Sequence, residues 1–157
     1  MTKVLLSLHV LAAIIAVGPV TVAASMFPAT LRRVLGDADP GDARTTLRTL
    51  HRICRVYAGI GVAVPLFGLA TASSLGVLGD AWLIASILLT AAAAGVLALL
   101  VLPTQERALA EAAGPPAPSA QAPLLPGRLA ILTGVFNLLW ATVTVLMIIR
   151  PGSTTGV

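Results

Sequence analysis

Few side chains in this sequence could do chemistry, and they stand far apart. His9 is the one ionisable His, Asp, Glu, Lys or Arg in the stretch 4–31, and the stretches 56–79, 81–105 and 129–149 hold none. An imidazole in such apolar surroundings can ligate haem iron or Cu(I), or hydrogen-bond a neighbouring hydroxyl. The other histidine, His51, stands three residues before the lone cysteine, Cys54. That pair shares a helical face but is too small for a closed zinc centre, and one cysteine excludes an intrachain disulfide. Asn137 shares a face with Thr133, Ala141 and Thr144, the pattern of an interior stripe that supports helix–helix hydrogen bonds. No glycine-rich phosphate loop, nucleophile elbow or pair of carboxylates is present. The residues lean away from an enzyme.

The elements that must position these groups follow from composition. Of 157 residues, 57% are hydrophobic and 10% charged, and the mean hydropathy is +0.98. A soluble domain carries about a quarter charged residues. Each charge-free stretch exceeds the ~20 residues that cross a hydrocarbon core, and none alternates with a period of two. The expectation is an all-α bundle of four transmembrane helices forming a single integral membrane domain over 1–157. The helices are placed at about 4–31, 43–79 with an amphipathic start, 81–113 with a polar extension, and 128–149. Asp39-Pro40-Gly41 breaks the chain, Asp42 is placed to cap the second helix, and the proline-rich stretch 114–127 reads as a linker.

Charge sets the orientation. Arg32, Arg33, Arg44, Arg48, Arg52 and Arg55 flank the first connection and Arg107 and Arg128 the third, against Lys3 and Arg150 on the other side. Basic residues stay in the cytoplasm, so both termini are expected outside a bacterial cell membrane. The six arginines of the first connection read as an anchor for anionic lipid headgroups. No aromatic residues interleave them, which argues against nucleic acid. Pro19 and Pro65 fall within spans and are expected to kink them. Small residues on several helix faces suit close packing and a homodimer or another membrane-protein partner.

Counting ~1.5 Å per residue from the helix ends puts Thr71, Ser86 and Thr144 at nearly the depth of His9. His9 is expected to face the interior and to contact at least one of these three hydroxyls, because an unpaired imidazole in lipid is costly. Met147 lies about a turn further out and would add a soft ligand if copper bound.

The run from Leu8-His9 to Gly18-Pro19, followed by Met26-Phe27-Pro28 and Arg32-Arg33, resembles the first helix of small four-span bacterial membrane proteins of uncharacterised function. It is also similar to helix one of copper-resistance D-type proteins and of the membrane protoporphyrinogen oxidase that binds haem b. The shared element is a Leu-His near the helix start with a small residue about nine positions later. The resemblance covers about thirty residues and implies a four-helix fold with His9 at the ligand position for haem b or copper. The oxidase's intramembrane lysine has no counterpart here, so its activity is not implied. The leading reading is a structural or accessory membrane bundle; the alternatives are a haem- or copper-binding protein using His9, then a small-molecule transporter.

Overall fold

The computed structural model describes residues 2–36, 40–114 and 122–152. Every regular element among them is helical: α1 (Thr2–Gly36), α2 (Gly41–Ile60), α3 (Ala63–Leu75), α4 (Ala81–Gly95), a π turn (Val96–Val101), α5 (Leu102–Ala113), a 3-10 turn (Ala122–Leu124) and α6 (Leu125–Ile149). They make four helical units long and apolar enough to cross a membrane: Thr2–Gly36, Gly41–Leu75, Ala81–Ala113 and Ala122–Ile149. The four-span, all-helical architecture is the one expected from the sequence.

Several boundaries differ. The first helix runs on to Gly36, so Arg32 and Arg33 belong to it rather than to a loop. The second begins at Gly41 after Pro40, with no side-chain cap; Asp42 lies in its first turn, where a carboxylate favours the helix dipole without capping it. α6 starts at Leu125, ahead of Arg128, because Pro126 occupies its first turn, where a missing N–H costs nothing. Of the expected linker, residues 115–121 lie outside the described residues.

Two prolines disturb the spans in opposite ways. Pro65 has no N–H to give the carbonyl of Gly61. The backbone tightens there: Val62 N–H bonds Gly59 O at 3.2 Å and Val64 N–H bonds Gly61 O at 3.1 Å, dividing α2 from α3. Pro103 likewise leaves Leu99 O without its helical donor. Here the turn widens instead, and Leu102 N–H reaches back to Leu97 O. Pro19 and Pro28 lie within α1, which has no such break.

α1 is the central helix, packing against α2, α3 and α6; α4 packs on α6 and α5 on α2. The arginine-bearing end is cored by Phe27, Leu31, Leu47, Cys54, Ala108 and Leu129. The middle is filled by Val20, Ala93, Leu97, Val101 and Phe136, and the opposite end by Ala72, Trp82 and Leu83. Large apolar side chains point outward, Leu99 at 73% and Ile148 at 72% exposure. Small residues such as Ala16, Ala23, Ala24 and Ala93 are buried. That distribution suits a bundle solvated by lipid, where close backbone packing rather than water expulsion holds helices together.

Candidate functional site

The two histidines occupy separate sites. His9 is on α1 and 9% exposed, so it faces the interior of the bundle. Its Nδ1 lies 2.9 Å from the backbone oxygen of Val64 on α3. A carbonyl oxygen only accepts, so Nδ1 carries a proton, and in the neutral tautomer Nε2 is the nitrogen with the lone pair. The ring rests on Gly68, one turn beyond Val64; a Cβ at Gly68 would stand 2.9 Å from His9 Cε1 and 3.1 Å from Nδ1. The glycine therefore opens the space through which the imidazole reaches the α3 backbone.

The acceptor is a carbonyl rather than one of the three hydroxyls expected beside His9. Thr71 and Ser86 are buried, but each donates within its own helix, to Phe67 O at 2.7 Å and to Trp82 O at 2.8 Å. Thr144 is exposed and donates to Trp140 O at 2.9 Å. A hydroxyl that can back-bond to its own helix has no need of a histidine. Met147 is half-buried in the last turn of α6, where its carbonyl accepts from Arg150 Nε at 3.3 Å. The Arg150 guanidinium lies 5.6 Å from the Trp82 ring centre, and Trp82 Nε1 donates to Asp80 at 3.0 Å.

On α6, Thr133 donates to Ala24 O at 3.4 Å and Asn137 Nδ2 to Ser25 Oγ at 3.3 Å, both on α1. These two members of the expected polar stripe are helix–helix ties. Asn137 Oδ1 and Trp140 Nε1 are buried without a hydrogen-bond partner.

The second site joins α2 to α5 at the arginine-bearing end. His51 is 8% exposed, and Gln105 and Cys54 are fully buried. Gln105 Oε1 accepts from His51 Nδ1 at 2.9 Å, while Gln105 Nε2 faces Cys54 Sγ at 3.6 Å. His51 Nε2 lies 3.8 Å from a carboxylate oxygen of Glu106. The spacing of His51 and Cys54 signals half of this cluster; Gln105, its hub, stands at the end of an apolar stretch and gives no signal of its own. Arg44, Arg48, Arg52 and Arg55 line the exposed face of α2, opposite buried Leu47, Leu50, His51 and Cys54, as the amphipathic pattern implies. Arg32 and Arg33 are exposed at the same end, on α1.

Among the described residues no three His, Cys, Asp or Glu side chains converge to hold a metal ion. Compared with known proteins, the chain matches no family model, no curated protein and no solved structure.

Proposed function

We propose that the protein is a structural or accessory four-helix bundle of a bacterial cytoplasmic membrane, working by association with itself or with another membrane protein. The observation that carries this reading is how many polar side chains bond across to a neighbouring helix. His9 ties α1 to α3, His51 and Gln105 tie α2 to α5, and Thr133 and Asn137 tie α6 to α1. Such bonds are worth about 0.6 kcal/mol each in a membrane interior, and together they specify which helix lies beside which. The exposed arginines favour the orientation with that end in the cytoplasm, against anionic headgroups. An impermeant thiol reagent on intact cells should then label Gly79→Cys and spare Gly114→Cys; the reverse pattern overturns the orientation.

A second reading rests on His9 Nε2. Donation of the other ring N–H to a backbone carbonyl is how metal-ligating histidines are commonly oriented. That geometry fits one ligand to haem b or copper, which would supply electron-transfer chemistry when bound. His51 and Cys54 are committed elsewhere, so neither joins it. The absorption spectrum and metal content of protein purified from its own membranes decide between the readings. A colourless, metal-free protein supports the bundle; a Soret band or bound copper lost in His9→Ala supports the second reading.

A further inference from the structure

The two histidines differ in the number of acceptors that face them. Among the described residues His9 is hydrogen-bonded to one acceptor, the Val64 carbonyl. His51 has a hydrogen-bond acceptor at Nδ1, Gln105 Oε1 at 2.9 Å, and a carboxylate oxygen of Glu106 3.8 Å from Nε2, within ion-pair range. A neutral imidazole donates one N–H, whereas an imidazolium donates two. We infer that His51 is a proton-responsive clasp between α2 and α5, closed when Nε2 takes and keeps a proton from the adjoining aqueous phase and the imidazolium pairs with the Glu106 carboxylate.

The surroundings favour that step. Glu106 is 58% exposed, so the proton arrives from water at the rim while Nδ1 stays anchored on the buried amide. Gln105 Nε2 is held by Cys54, which keeps the accepting oxygen towards the ring. The apolar core at this end takes Phe27, Leu31 and Val34 from α1 and Leu129 from α6. On α5, Arg107 is exposed and Glu111 half-buried; Arg32 and Arg33 of α1, Arg48, Arg52 and Arg55 of α2, and Arg128 of α6 are exposed. Among the described residues, Glu106 is the charged group within ion-pair distance of His51.

The test is the titration of His51 ring nitrogens by NMR in the full-length protein in micelles, with His51→Gln identifying the signal. Removing the Glu106 charge (Glu106→Gln) should lower the midpoint by about half a unit or more, and reversing it (Glu106→Lys) should lower it further. The thermal midpoint of the wild type should rise on going from pH 8 to pH 5.5 relative to that of Glu106→Gln. An unchanged His51 midpoint in both variants, or a pH dependence of stability identical in wild type and Glu106→Gln, overturns the clasp.

Discussion

His9 and Gly68 are a fitted pair: the imidazole of one fills the space where the other would carry a Cβ, only 2.9 Å from Cε1. Gly68→Ala should therefore push the ring off the Val64 carbonyl. The expected cost is about 0.6 kcal/mol for the lost bond, read as a fall in thermal midpoint in micelles. Gly59, also helical, has nothing within 4 Å of its missing Cβ. Gly59→Ala should be neutral or slightly stabilising, since alanine is the better helix former. Equal losses in both variants would contradict the pairing.

His9→Leu removes the tie while keeping an apolar side chain against α3. The Val64 carbonyl still has its own helical donor, so the expected loss is modest, about 0.6 kcal/mol. The change should be local, with amide exchange accelerating in Ala63–Leu75 and much less in Gly41–Ile60. His9→Gln, which keeps a side-chain donor, should recover part of the protection.

Gln105 holds His51 and Cys54 together from a fully buried position. Gln105→Met keeps a comparable length but leaves the His51 donor unpaired, at about 1–3 kcal/mol. Cys54 is also fully buried and should react slowly with a small thiol reagent in the wild type. In Gln105→Met the reaction should quicken about tenfold for each ~1.4 kcal/mol by which local opening becomes easier. No change in labelling rate would show that packing alone, not the amide, closes this end.

A turn closed between residues five apart holds one residue more than an ordinary helical turn. Deleting Leu99, which is 73% exposed and lies in the π turn, should return the turn to α-helical spacing with Ala93 and Gln105 still facing inward and a kink at Pro103. Deleting Ala92 instead, within α4, would rotate everything before it by about 100° relative to the bundle. Circular dichroism and thermal unfolding should show both variants helical and the second far more destabilised than the first.

The four spans, the amphipathic start of α2 and the inward face of His9 were legible because each depends on which residues are apolar. The partners of His9 were not. Depth counting assumes a uniform rise, and Pro65 tightens one span while Pro103 widens another. It also cannot register that Thr71 and Ser86 satisfy themselves on Phe67 and Trp82 of their own helices. Gly68 was just as silent, since its part is an absent side chain. Gln105 was hidden by its apolar neighbours, its inward direction being set by the widened turn before it.

Mechanically, the joint at Gly61–Val62 makes the second span two rods rather than one. A bending load on that span concentrates where the backbone bonds are short-range and Pro65 withholds a donor, whereas α1 beside it runs unbroken. A bilayer that thins or thickens should be accommodated first by a change in the tilt of α3 about this joint. The imidazole of His9 then acts as the fastener on the swinging side, and its hold on Val64 limits how far α3 can lean from α1.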